Sequence, residues 1–234
     1  MGAPLDVMRE YVAVLRAALD GRARLAGRHY RVAWDGAIRA PRALPVLLAG
    51  LSPPMLELAG ELADGVVLWL CAPAYVRDLA VPALARGRAR AGKPLDGFEV
   101  VAAVPVAVTD DARGVGRVFR EELVRYLSLP YYRAMLRASG FDAALRAFDR
   151  DRVTGPPADA VPEQLVEALG AIGSPEAARR SVATYRAAGV TLPVVRPIGA
   201  PEAPHARPTV EAVAPEGGMT AASPAPGASG RAAP

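Results

Sequence analysis

The stretch from Val46 to Leu70, VLLAGLSPPMLELAGELADGVVLWL, constrains the fold more than any other. It follows Pro45 with an unbroken apolar run, VLLAG, and turns sharply at AGLSPP. A helix-periodic segment comes next, and the stretch ends on a second unbroken run, GVVLWL. A short apolar run without alternation reads as a strand buried on both faces, the habit of parallel strands covered by helices. Ser52 stands where a helix N-cap is expected, and Pro53 suits the first turn. Met55, Leu58, Ala59 and Leu62 are expected to face the core, and Asp64-Gly65 to end the helix. The unit is strand, helix, strand. A parallel crossover of this kind is right-handed, so its strands share one direction and one functional end.

The same alternation continues along the chain. PLDVMREYVAVLRAALDG places Met8, Tyr11, Val12, Leu15 and Leu19 on one helical face, with Gly21 as its stop. Gly27 to Pro45 reads as a short ribbon or irregular excursion. APAYVRDLAVPALARGRARAGK is helical and expected to bend or break at Pro82. FEVVAAVPVAV is a third strand. Thr109-Asp110-Asp111 opens an arginine-rich helix near Arg113–Tyr126, which LPYYRAMLRASGF is expected to continue. The polar stretch Asp149 to Val161 reads as a loop and PEQLVEALGAIG as a helix. Ser174-Pro175-Glu176 opens a further helix closed by Gly189, and VTLPVVRPIG is a fourth strand. Four strands alternating with helices predict an α/β fold with a parallel sheet. From Ala200 the chain is mostly alanine, proline and glycine. Residues 200–234 are therefore expected to form a disordered tail behind an ordered unit of residues 1–199.

Charge and cysteine content bound the partners. The net charge is +4 and the pI about 9.6. The basic residues are nearly all arginine, scattered among acidic residues and alanines, and Lys93 is the only lysine. No basic stretch is interleaved with aromatics, so a solvated surface is expected rather than a nucleic-acid partner. No apolar run reaches the length of a membrane span, and the N-terminus lacks the pattern of a signal peptide. A lone cysteine, Cys71, gives no disulfide framework, which suits a reducing cytoplasm.

In parallel α/β folds, ligands bind at the C-terminal ends of the strands. Ala49, Gly50, Leu51 and Ser52 therefore lie on the expected ligand rim. Small residues there admit a ligand to the backbone, and the start of a helix favours an anion, although Pro53 and Pro54 remove two donors. On these residues alone, a tight turn with a capping serine is the favoured account of the pattern. Trp69 could line the substrate mouth or pack in the core. Arg196 could meet an anionic group or pair on the surface. Tyr131 and Tyr132 could line a pocket or simply pack. Cys71 has only His29 and His205 as conceivable bases and reads as an inert thiol. Asp64 is explained by its turn, and His205 by its place in the tail. No metal constellation, phosphate loop or Ser-His-Asp set is present.

The order of segments resembles the C-terminal half of a luciferase-like monooxygenase of the deazaflavin (coenzyme F-420)-dependent branch. The resemblance runs from about Pro4 to Pro197. It rests on DVMREYVAVLRAALDG with GRHYRV, on LPVLLAGLSPPMLELAGELADGVVLWL, and on RARAGKPLDGFEVVAAVPVAVTDDA. YLSLPYYRAMLRASGF and GSPEAARRSVATYRAAGVTLPVVRP complete it. It implies a TIM-barrel enzyme that uses reduced deazaflavin, or FMN as the alternative, for hydride transfer or monooxygenation of a small organic substrate. It carries cofactor contact onto Ala49, Gly50, Leu51 and Ser52; Trp69 and Arg196 are candidate substrate residues by their place at the C-terminal ends of their strands. The four strands match the family's fifth to eighth. The catalytic residues are expected in the missing half, and the chain alone is expected not to turn over. A gene fragment, a misplaced start and half of a split protein are all open. So is a non-catalytic half-barrel that binds or self-associates through its open edges.

Overall fold

The computed structural model describes residues 4–36 and 44–214. Helix α1 (Pro4–Leu19) buries Val12 and packs Met8, Leu15 and Leu19 against the core, while Tyr11 stays exposed. It ends at Gly21, whose φ of 97° is open to glycine at little cost. The ribbon starts earlier than expected. It is an antiparallel hairpin of β1 (Arg22–Ala26) and β2 (Arg31–Asp35), with Leu25 opposite Val32. Glu10 of α1 fixes its turn by accepting the backbone N–H groups of Arg28, His29 and Tyr30. Those amide donors draw the Glu10 carboxyl below its ordinary pKa. Part of the expected excursion, residues 37–43, lies outside the described residues.

A five-stranded parallel sheet follows. Strand β3 (Leu47–Ala49) leads through α2 (Pro53–Leu62) to β4 (Gly65–Trp69). The expected core face of α2 holds at Leu58 and Ala59, which are buried, and takes in Leu56 as well, whereas Met55 and Leu62 are half-buried. Asp64 does the structural work its turn suggested. Its Oδ2 accepts the Val46 N–H at 2.8 Å and the Arg16 guanidinium at 3.0 Å, tying α1 to the sheet.

The bend at Pro82 takes a specific form. A short α3 (Pro73–Tyr75) runs into a π-helical turn (Val76–Ala80) and then α4 (Val81–Arg90). The wider turn accommodates a proline that can donate no hydrogen bond. Helices α2 and α4 pack backbone to backbone through a pair of glycines. A Cβ on Gly60 would lie 2.3 Å from the Leu84 carbonyl oxygen, and one on Gly87 would lie 1.9 Å from that of Glu57.

Strand β5 (Glu99–Val108) is the longest and pairs with three others. After it, Asp111 caps α5 (Ala112–Leu127) through the Gly114 N–H. The segment expected to continue this helix is separate. The chain breaks at Ser128-Leu129, and α6 (Pro130–Ala138) starts on Pro130, because proline cannot extend the preceding hydrogen-bond ladder. Helix α7 (Asp142–Asp151) and α8 (Glu163–Leu169) follow.

Two expectations are corrected beyond this point. Ala171–Gly173, read as the end of a helix, is strand β6, paired with Val106–Val108 of β5. Gly170 ends α8, and the three residues that follow are too few to show a period. After α9 (Pro175–Ala187) and β7 (Leu192–Pro197), the chain does not become tail at Ala200. It forms α10 (Ala206–Val213), whose Thr209 is fully buried and accepts the Val108 N–H at 2.8 Å. His205 bonds the Ile198 carbonyl oxygen through Nε2 at 2.6 Å, a structural contact. Two apolar turns suffice to dock this helix despite the Ala/Pro-rich composition. The rest of the expected tail, 215–234, lies outside the described residues.

The helices cover one face of the sheet, where Leu48, Val66, Leu68, Val100, Ala102 and Val104 are buried. The other face carries Ala49, Val67, Trp69, Ala103, Val194 and Arg196 in register. Val67, Leu192 and Val194 on that side are 38%, 48% and 44% exposed. Burial of both strand faces was expected. Among the described residues the second face is covered only in part: Val101, Pro105 and Ala107 of β5 are buried there, whereas Val67, Leu192 and Val194 stay open.

Candidate functional site

The rim of the open face holds the site. Ala49, Gly50, Leu51 and Ser52 line a cavity of about 480 Å³ together with Met55, Val67, Trp69, Tyr131 and Tyr132. The cavity thus gathers the turn after β3, the end of β4 and the start of α6. Most of this wall is apolar, so it suits a flat or apolar ligand body.

The turn differs in detail from its expected form. The Gly50 N–H is directed to the Val67 carbonyl oxygen at 3.4 Å and extends the sheet instead of facing the cavity. Gly50 does not require positive φ. A Cβ there would sit 3.2 Å from Leu56 Cδ2 and 3.7 Å from Met55 Cγ, so glycine at this position serves strand–helix packing. Ser52 occupies the N-cap position with φ −81° and ψ 146°, but its hydroxyl makes no cap bond. Pro54, at the second helical position, removes one of the two amides that a capping hydroxyl accepts. The Leu51 carbonyl is held by the Tyr75 hydroxyl at 2.5 Å, which fixes the turn from beneath. Burial pushes the Tyr75 phenol up to about 12.

Trp69 and Arg196 meet on the open face. The Arg196 guanidinium carbon lies 5.1 Å from the Trp69 ring centroid. They stand on strands flanking β5, whose small Ala103 is the residue registered with both Trp69 and Val194. Helix α5 closes over the pair. Its Glu122 binds Arg196 Nη2 at 2.8 Å, and its Tyr126 packs 6.1 Å from Trp69. Tyr126 in turn meets Tyr132 edge-on at 4.9 Å. Glu122 and Tyr126 are four residues apart and so share one helix face. Arg196 is paired, as one of its two readings had it, and the partner is Glu122 at the rim. Burial pushes the Tyr132 phenol up to about 12, with Tyr126 adding to the effect.

Cys71 is buried, and its sulfur is directed at the Trp69 carbonyl oxygen. Desolvation pushes its thiol up to about 12, so it is no nucleophile at neutral pH. Sequence reasoning missed Glu122, Tyr126, Val67 and Met55. The first two lie more than fifty residues from Trp69, and no local pattern connects them to it.

Comparison with known proteins places this geometry in context. The model of the luciferase-like monooxygenase family matches residues 1–192. An uncharacterised protein of Mycobacterium tuberculosis is 34% identical over 154 residues, covering 60% of this chain and 45% of that protein. A 5,10-methylenetetrahydromethanopterin reductase of Archaeoglobus fulgidus is 27% identical, over 91% of this chain and 65% of the reductase. Among solved structures, the coenzyme F-420-dependent tetrahydromethanopterin reductase of Methanopyrus kandleri superposes with a TM-score of 0.72 at 24% identity. It covers 90% of this chain and 62% of its own. This likeness gives the fold. The chain spans less than two thirds of the length of these relatives.

Proposed function

The chain belongs to the luciferase-like monooxygenase family, and on that premise we propose that its rim is the cofactor and substrate site of a deazaflavin- or flavin-dependent oxidoreductase. The fold is of the luciferase-like TIM-barrel type, and residues 1–199, extended by α10, make up the barrel unit. The observation that carries this reading is the single cavity shared by Ala49–Ser52, Trp69 and Tyr132 at the C-terminal ends of parallel strands. The relatives named as coenzyme F-420-dependent or as methylenetetrahydromethanopterin reductases favour reduced coenzyme F-420, with FMN as the alternative.

The residues present fit such a group. The apolar wall of Leu51, Met55, Trp69 and Tyr132 suits a planar ring system. The amides of Leu51 and Ser52 have no protein acceptor among the described residues and can serve its polar edge. When bound, the reduced cofactor supplies hydride transfer or oxygen activation. This chain's residues hold the ring against the turn, exclude water with the half-buried Tyr132, and orient a small organic substrate beside Trp69 and Arg196.

Direct titration with coenzyme F-420 and with FMN, read by cofactor fluorescence, tests the reading. Ala49→Trp fills the cavity from an exposed position and is expected to weaken binding at least about tenfold, or 1.4 kcal/mol. Its unfolding midpoint should stay unchanged. Failure of the parent chain to bind either cofactor, or equal binding by the variant, overturns the assignment.

A second reading is favoured by the exposed Val67, Leu192 and Val194: a half-barrel that associates with itself. Among the described residues β3 pairs only with β4, and β7 only with β5, so each keeps one open edge. A concentration-independent monomer in sedimentation velocity would exclude it.

A further inference from the structure

Among the described residues, three buried side-chain nitrogens have no hydrogen-bond partner: His29 Nε2, Trp69 Nε1 and Arg196 Nε. The first belongs to the hairpin. The other two belong to side chains that touch one another on the open face. A buried donor left unpaired is costly, and few survive in a folded protein without a reason. A third irregularity falls beside them. Leu70 has φ 51°, the only non-glycine residue with positive φ among the described residues, although its side chain is fully buried. Leucine tolerates this region poorly, and such strain collects at binding sites. The strain sits immediately after Trp69, where it sets the direction in which the chain leaves β4.

We propose that Trp69 and Arg196 form a paired donor site for the carbonyl oxygen of an uncharged, apolar-bodied substrate. This rests on reading the same rim as the oxidoreductase site. Three features fix the ligand class. Both orphan groups are N–H donors, so the ligand atom they would hold is an acceptor. The arginine already carries Glu122 on Nη2, and each partner's side chain is 25% exposed, so its charge is answered within the protein. A second carboxylate would lie close to Glu122, whereas a neutral carbonyl meets no such repulsion. The surrounding wall of Trp69, Tyr126 and Tyr132 is aromatic and suits a hydrocarbon body.

The two donors are now shielded by their own stack. A ligand engages them by separating the guanidinium from the indole. That step exchanges one cation–π contact for two hydrogen bonds to otherwise unpaired donors, and the second is the stronger set.

The indole N–H proton reports the contact directly. The chain has two tryptophans, and Trp34→Phe assigns the remaining indole resonance to Trp69. Titration of the nitrogen-15-labelled chain with cyclohexanone is expected to move the Trp69 Nε1–H resonance downfield and to saturate. Methylcyclohexane, of similar shape but without an acceptor, should produce no such downfield movement. Cyclohexanecarboxylate should bind about tenfold more weakly than the ketone, a gap equivalent to 1.4 kcal/mol. In Glu122→Gln, judged folded by its dispersed amide spectrum, that order should reverse. Carboxylate binding as tight as the ketone in the parent would overturn the neutral class. An equal shift with methylcyclohexane, or no saturable shift with any probe, would overturn the paired donors. No cofactor is needed. Failure of coenzyme F-420 and FMN to bind would thus remove the cofactor reading and leave this result standing.

Discussion

The two faces of the parallel sheet are built from the same strands and differ sharply. In β4, Val66 and Leu68 point toward the helices and are fully buried, whereas Val67, between them, is 38% exposed. In β7, Val195 packs on the core while Val194 is 44% exposed. The residue types are alike on the two sides. What differs is the covering, because α2, α4 and α9 follow their strands and return over one face only. The helix-covered face supplies stability, and the open face carries the candidate site at its rim.

Substitutions that separate the two faces should differ most in stability. Leu68→Ala removes a fully buried side chain from the covered face and is expected to cost about 3 kcal/mol in urea unfolding. Val194→Thr on the open face should stay within about 0.5 kcal/mol of the parent. Equal losses would mean that the open face is covered in solution, in line with self-association.

The covered face can be challenged again at its closest helix contact. Gly87→Ala drives a methyl group into the Glu57 carbonyl, which is backbone and cannot swing aside. The expected loss is about 2 kcal/mol. A neutral result would show that α2 and α4 have room to separate.

The smallest expected effect compares two serines at helix starts. Ser174 accepts the Ala177 N–H at 3.3 Å, so Ser174→Ala should cost about 1 kcal/mol. Ser52 makes no cap bond, and Ser52→Ala should change stability by only about 0.3 kcal/mol. Since Ser52 lines the cavity, its substitution should be felt in cofactor titration more than in unfolding. A full capping loss at Ser52 would return its hydroxyl to a structural role.

Much of the fold was legible because its signals are local. Strands β3, β4, β5 and β7 announce themselves because each lies in a mostly apolar run longer than the strand itself or bounded by turn residues. Gly21 and Gly189 mark helix ends, and Ser174-Pro175 marks a helix start. The Ala49–Ser52 turn was found as a rim element because strand direction alone puts it there. Strand β6 was missed because three residues between two helices show no period. Helix α10 was missed because its docking depends on one threonine reaching the end of β5. The separation of α5 from α6 turns on Pro130, whose missing N–H outweighs the helical period on either side of it.

The sequence by itself determined the class of fold, the parallel order of its units and the position of the turn at the rim, since these follow from periodicity, caps and chain direction. Only the tertiary structure decided which face of the sheet stays open and what meets there. Trp69, Glu122, Tyr126 and Arg196 come together because the register of β4, β5 and β7 and the return of α5 over the rim bring distant segments within a few ångströms. A pattern read along the chain carries no term for that distance.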